Sequence, residues 1–194
     1  MRIPVFYGSY RRDRQGIRLA RWIVAELTAA GHEAELVDAM AIDLPMLDRM
    51  YKEHEAGSAP PALEALAGTI RAADAFLFVV GEYNWGPQPG LKNLTDHFLE
   101  EWFWRPAALA SYSAGRFAGV RAATAWRPIL NEMGMVTISS TLTVGGIGDA
   151  FDGDDRPDGP GGKAAADAWP RFLADLIWWA EAAQAQRERA DPPY

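Results

Sequence analysis

Ala75-Phe76-Leu77-Phe78-Val79-Val80 is an unbroken apolar run with no polar residue to mark an exposed face. A strand with one solvated face alternates polar and apolar residues. A strand that is apolar throughout must be covered on both faces, as a central strand of a parallel sheet is. That single segment calls for helices above and below it, and so for a chain in which strands and helices alternate.

The rest of the chain supplies the alternation. Ile3 to Tyr7 reads as a strand, with Pro4 tolerable only near its start. Gln15 to Ala30 places Ile17, Ala20, Val24 and Leu27 on one helical face, and Gly31 stops it. Glu33 to Asp38 alternates polar and apolar, the pattern of a half-exposed edge strand. Residues 39–61 read as mostly irregular around Pro45, Gly57-Ser58 and Pro60-Pro61, with a short helix that the pattern does not place. Leu63, Leu66, Ala67 and Ile70 mark the next helix, and Leu91, Leu94 and Phe98 a third. Ala107 to Ser111 is a fourth strand. Phe117 to Met133 is helical in pattern, and Pro128 implies a kink or a restart. Met135 to Ser139 is the fifth strand. A loop runs to Gly162, and Lys163 to Arg189 is the last helix, with Pro170 expected near an N-terminal turn. The expectation is an α/β fold: one domain over residues 1–194, built as a three-layer, doubly wound, five-stranded parallel sheet.

Such sheets bind ligands beyond the carboxyl ends of their strands. Three strand exits carry small and polar residues there: Gly8-Ser9-Tyr10-Arg11, Gly81-Glu82-Tyr83-Asn84 and Tyr112-Ser113-Ala114-Gly115. The first combines backbone donors, a hydroxyl and a fixed cation at a helix start, which is what a phosphate needs. Composition narrows the ligand further. There is no cysteine, so disulfides, thiolate metal sites and a cysteine nucleophile are all excluded. The three histidines, His32, His54 and His97, show no metal spacing. A net charge of −7 argues against non-specific nucleic-acid binding, despite the local cluster Arg11, Arg12, Arg14, Arg18 and Arg21, whose last two members read as a solvated helix face. No apolar run approaches membrane-spanning length, and the plain expectation is a soluble cytoplasmic protein.

The first and middle motifs, with Pro89-Gly90-Leu91-Lys92-Asn93 shortly after, resemble the NADPH-dependent FMN reductase family over about residues 2–140. The third turn, followed by Gly119 and Arg121, is similar to that family's third flavin loop. The resemblance implies a flavodoxin-like fold with strand order 2-1-3-4-5, FMN as cofactor and NADPH or NADH as donor. It also implies a small-molecule electron acceptor and a homodimer or homotetramer; that no metal takes part is expected from the absence of cysteine and of clustered histidines. It carries FMN-phosphate binding onto Ser9, Arg11 and the turn Arg14-Gln15-Gly16-Ile17. The flavin ring falls to Glu82, Tyr83, Asn84 and Trp85, and the third loop to Tyr112, Ser113, Ala114 and Gly115. Two departures stand out. Many members have proline at the place of Gly81, which loosens the approach to the flavin, and many have serine at or beside Arg14. The redox chemistry belongs to the cofactor, so no catalytic acid–base residue is expected.

Rival readings of the same residues are weaker. Ser9 and Arg11 read alternatively as a helix cap, and Glu82-Tyr83-Asn84 as an ordinary turn. Lys92, Asn93 and Asp96 read as helix-start and interface groups. Ser111 to Gly115 imitates the turn that carries a hydrolase serine, but all three histidines precede Ser113, which is the wrong chain order. Asp152 to Asp158 imitates a calcium loop, but Arg156 and Pro157 replace a ligand and the required glycine. The clusters Trp102-Phe103-Trp104 and Trp178-Trp179 cannot all face one core, and part of them is expected at a subunit interface. Two non-enzymatic alternatives share the fold: an FMN-binding electron carrier and a flavin-free binding module. Among acceptors, free flavin, quinones, azo compounds and metal oxyanions all stay open.

Overall fold

A computed structural model describes residues 1–194. Five strands pair in parallel in the order β2-β1-β3-β4-β5. They are β1 (Val5–Tyr7), β2 (Leu36–Asp38), β3 (Phe76–Gly81), β4 (Pro106–Tyr112) and β5 (Val136–Val144). The helices are α1 (Gly16–Ala29), α2 (Ala39–Ile42), α3 (Pro61–Ala72), α4 (Pro89–Asp96), α5 (Val120–Glu132) and α6 (Pro160–Arg189). Short 3-10 turns lie at Tyr51–Glu53 and Glu100–Trp102.

The central run behaves as its composition requires. Every residue of β3 is buried. Leu77 and Val79 enter a core shared with α1 and α6, while Phe76, Phe78 and Val80 enter one shared with α3, α4 and α5. Both cores set aromatic rings among aliphatic side chains: in the first, Trp22 packs edge-on against Trp169 at 5.3 Å, and in the second, Trp102 packs edge-on against Phe6 at 5.2 Å and against Phe76 at 4.9 Å between ring centres. The sheet is therefore sandwiched, three layers in all, and β2 lies at its edge as the alternation of residues 33–38 predicts.

Three elements differ from the sequence pattern, and a fourth, the short helix the pattern does not place, is located. The irregular stretch holds α2, whose start is capped by the Asp38 carboxylate accepting from the Met40 N–H at 3.1 Å. Helix α5 runs through Pro128 without ending or restarting, with Trp126 and Leu130 anchored in the core on either side of it. Helix α6 begins at Pro160, three residues before Lys163, so Pro170 lies in its interior and not near its first turn. Strand β5 continues to Val144, five residues past Ser139. Its ladder with β4 is interrupted: Ala107 pairs with Thr137, but Leu109 pairs with Thr141. The polar groups freed by this bulge are bonded by side chains. Arg127 donates to the Ile138 carbonyl at 2.7 Å, the Ser139 carbonyl at 3.3 Å and the Thr141 hydroxyl at 2.7 Å. The Ser140 N–H donates to Asp175 at 3.1 Å.

Candidate functional site

At the carboxyl end of the sheet, the exits of β1, β3 and β4 meet around a cleft of about 220 Å³. Of the residues expected there, Ser9, Arg11, Arg14, Gln15, Glu82, Tyr83, Tyr112, Ser113 and Ala114 line it. Asp13 and Ile147 line it as well, and no motif marks either of them. Ile147 comes from the segment after β5, held in place by two backbone bonds. The Ser113 N–H donates to the Val144 carbonyl, and the Ile147 N–H to the Ser113 carbonyl, both at 3.2 Å.

The first wall is the exit of β1. Ser9 is buried, and its hydroxyl shares a 2.7 Å hydrogen bond with the Tyr83 hydroxyl, tying the first loop to the middle one. The Arg11 N–H reaches the same Ser9 oxygen at 3.4 Å, and the Arg11 side chain is exposed beside the cleft. From residue 12 to residue 16 no backbone N–H donates to another group of the chain. These free donors surround the start of a 14-residue helix, the geometry that receives an anion.

Arg14 has a different occupation. It donates to the Asp38 carboxylate at 2.6 Å and to the Ser9 carbonyl at 3.4 Å. The hydrogen bond it donates to Asp38 raises its pKa further, so it is a permanent cation already matched by an anion. Gln15 accepts from Arg18, which also donates to the carbonyls of Gly148 at 2.8 Å and Phe151 at 2.6 Å. Arg18 thus clamps the segment after β5 onto α1 and is no solvated helix face. Ile17 packs against the core shared with α6.

Tyr112 lies beneath the cleft. Its hydroxyl accepts from Gln88 at 3.2 Å and donates to the Tyr7 hydroxyl at 3.4 Å. Burial pushes its pKa well above the usual phenol range, and burial raises that of Tyr7 too, so both stay neutral. The ring explains the departure at Gly81. A Cβ at Gly81 would sit 2.5 Å from the Tyr112 ring, and one at Gly16 would sit 2.2 Å from it. The space a proline would use is filled by tyrosine, and the two glycines let α1 and β3 close around the ring.

The middle wall ends in a tight hairpin. Tyr83 and Gly86 exchange both backbone bonds, at 2.8 and 3.1 Å, leaving Asn84 and Trp85 at the tip with φ of 48° and 79°. Both are exposed and stand outside the lining of the cleft. Gly115 is exposed beyond the cleft as well. Below the tip, the Glu82 carboxylate is only 6% exposed and pairs with Arg121 at the start of α5. The second Glu82 oxygen and the Arg121 Nε are buried with no partner. The Arg121 guanidinium carbon lies 4.6 Å from the centre of the Trp85 ring and 4.8 Å from that of Phe117. Sequence reading names Arg121 only as a follower of the third loop, because its partner is 39 residues away.

The sequence matches the NADPH-dependent FMN reductase family over residues 1–149, a span that contains all three loops. The chain belongs to this family. A rice protein named probable NADPH:quinone oxidoreductase 2 is 34% identical over 119 residues, which is 59% of this chain and 57% of that protein. The quinone reductase of Escherichia coli K12 is 26% identical over 151 residues, 76% of this chain and 78% of the relative. Among solved structures, FerB of Paracoccus denitrificans, named as a flavoenzyme NAD(P)H:(acceptor) oxidoreductase, superposes with a TM-score of 0.73. It is 22% identical and covers 94% of this chain and 98% of its own, a likeness of fold. Flavodoxin-like architecture, FMN and a reduced nicotinamide donor are therefore the family frame in which the cleft stands. No group of His, Asp or Glu side chains is disposed to hold a metal ion, and no helix is long and apolar enough to cross a membrane.

Proposed function

We propose that this chain is an FMN-dependent NAD(P)H oxidoreductase that passes electrons to a small organic acceptor. The observation that carries the reading is the first wall of the cleft, where free N–H groups from residues 12 to 16 stand beside Ser9 and the unengaged Arg11. A phosphate dianion matches that donor set, and Arg14, matched by Asp38, holds the loop in shape beneath it. The middle and third loops, from Glu82 to Trp85 and from Tyr112 to Gly115, would flank the ring, with Tyr83 fixed by its bond to Ser9. Bound FMN would supply the redox chemistry, storing two electrons between donor and acceptor.

The protein's own part is to bind, orient and exclude water. NAD(P)H and the acceptor take the same place in turn, a ping-pong order that one cleft imposes. No side chain among Glu82, Tyr83, Asn84, Trp85 and Ser113 is then indispensable for chemistry. The same reading places the protein in the cytoplasm as an assembly of two or four copies, which would cover the exposed Trp178 and Trp179 of α6.

Titration with FMN tests the cofactor. A shift of the flavin bands is expected, with stabilisation of about 2.7 kcal/mol when free FMN exceeds its Kd a hundredfold. Absence of both refutes the reading. Steady oxidation of NAD(P)H with no partner protein separates a reductase from an electron carrier. Parallel double-reciprocal lines are expected over several acceptor concentrations, and intersecting lines would replace ping-pong by a ternary complex.

A further inference from the structure

Three features that ordinarily cost stability coincide at the tip of the middle loop. Trp85 is a bulky residue held at φ 79°, where glycine or asparagine is the usual occupant. Trp85 is 64% exposed, and Phe117, which packs on the same Arg121 guanidinium, is 51% exposed. In the ion pair beneath them, between Glu82 and the partly exposed Arg121, one donor and one acceptor atom are buried and unbonded. Folding alone explains none of these, and clusters of such local costs mark functional sites.

The arrangement has a definite geometry. Arg121 is tethered to Glu82 and touches the Trp85 ring, so it fixes the indole from within. Phe117 is engaged by two guanidinium groups, Arg121 at 4.8 Å and Arg116 at 5.0 Å. Trp85 is engaged by one, and most of its surface remains open next to the loop that lines the cleft. The charge of Arg121 is balanced by Glu82, so the indole presents a flat, uncharged stacking surface, and a planar ring is its natural complement.

We propose that Trp85 is the specificity-determining residue for the acceptor, a platform that selects flat-ring acceptors of the quinone type over compact acceptors, with Arg121 as its positioning residue. The inference rests on the reading above that the chain delivers electrons to a small molecule.

The experiment uses the FMN-loaded full chain and its Trp85→Gly, Trp85→Phe and Arg121→Met variants, with 1,4-naphthoquinone and ferricyanide as alternative acceptors. In Trp85→Gly the ratio of kcat/KM for naphthoquinone to that for ferricyanide is expected to fall about tenfold, mainly through KM for the quinone. Trp85→Phe keeps most of the ratio, and Arg121→Met loses part of it. Calorimetric affinity of the oxidised protein for naphthoquinone should fall in parallel. The melting temperature of Trp85→Gly should hold or rise, because glycine relieves the positive φ, whereas a merely structural tryptophan would lower it. Equal losses for both acceptors together with weaker FMN binding would overturn the proposal and make Trp85 a cofactor residue. Dissociation of Trp85→Gly into smaller species would overturn it in favour of a contact between copies. If the wild type oxidises NAD(P)H with neither acceptor, the proposed function fails. The calorimetric arm still decides the platform, since unchanged quinone affinity in Trp85→Gly refutes it.

Discussion

Arg105 and Arg121 are both partly buried arginines at opposite ends of the sheet, and they are used in opposite ways. Arg105 precedes β4 at the amino end of the sheet and gives its donors to four carbonyls: Ala73 at 2.6 Å, Arg71 at 2.8 Å, Phe103 at 3.0 Å and Glu101 at 3.2 Å. Arg71 lies in the last turn of α3 and Ala73 is its C-cap, so a cation completes a helix end and locks the 3-10 turn beside it. Burial, with the charge of Arg187 adding to it, lowers the Arg105 pKa, and the carbonyl oxygens keep the cation in place. Arg121, at the carboxyl end, makes one ion pair, leaves its Nε unbonded and spends its flat face on two exposed rings. A fully bonded arginine is architecture. An under-bonded one next to a cleft is available for something else.

Substitution sharpens the contrast. Arg105→Ala leaves several inward carbonyls without donors and should cost about 4 kcal/mol in urea unfolding, with FMN affinity little changed at temperatures where the fold persists. The contrast breaks if Arg121→Met costs as much.

Arg11→Ala should act on the cofactor and not on the fold. Loss of a charge-assisted bond to phosphate is worth about 1.5–3 kcal/mol, so FMN affinity should fall at least tenfold while riboflavin affinity barely moves. Equal losses for the two flavins would remove Arg11 from the phosphate.

Gly81→Ala inserts a Cβ 2.5 Å from the Tyr112 ring. Overpacking of this kind should cost about 1–2 kcal/mol, read as a lower urea midpoint. A neutral or stabilising result would mean that the ring yields, and that the space is open to the proline common in the family.

The smallest expected effect is one of pH. Burial first, then the N-terminal amine, lowers the pKa of His32 below 6.5. The folded state therefore favours the neutral ring. Its contribution is complete above pH 6.5 and is lost as pH falls through the lowered value. Stability of the wild type should decline slightly more than that of His32→Gln between pH 7 and pH 5.5.

The alternation of strands and helices and the meeting of three loops were legible because both depend on local pattern, whereas the strand order 2-1-3-4-5 came only with the family resemblance. Ala75 to Val80 dictates a covered strand, and the polar exits follow from where such strands end. What was hidden depends on residues distant in sequence. The bond that ties Arg14 to Asp38, 24 positions away, leaves no mark in the local pattern around either residue. Ser139-Ser140-Thr141 reads as the end of a strand because the partners that sustain it, Arg127 and Asp175, lie on two different helices. Helix α6 starts on Pro160-Gly161-Gly162, poor helix formers except for the leading proline. Close approach decides there: a Cβ at Gly162 would sit 1.8 Å from the Ala150 carbonyl oxygen, and one at Gly161 would sit 2.2 Å from that of Gly145. Packing overrides propensity at that point.

The bulge in β5 has a consequence for life in a crowded solution. An edge strand is an open invitation to any other extended chain, and β5, with nine residues, is the longest strand of the sheet. At its middle the carbonyls of Ile138 and Ser139 and the amide of Ser140 already belong to Arg127 and Asp175. The free stretch is cut in two, neither half long enough to template a foreign strand with confidence of register. At the other edge β2 offers three residues flanked by Glu33 and Glu35. The sheet is thus guarded against self-propagating aggregation at both borders, at one by brevity and charge and at the other by a kink that its own side chains hold shut.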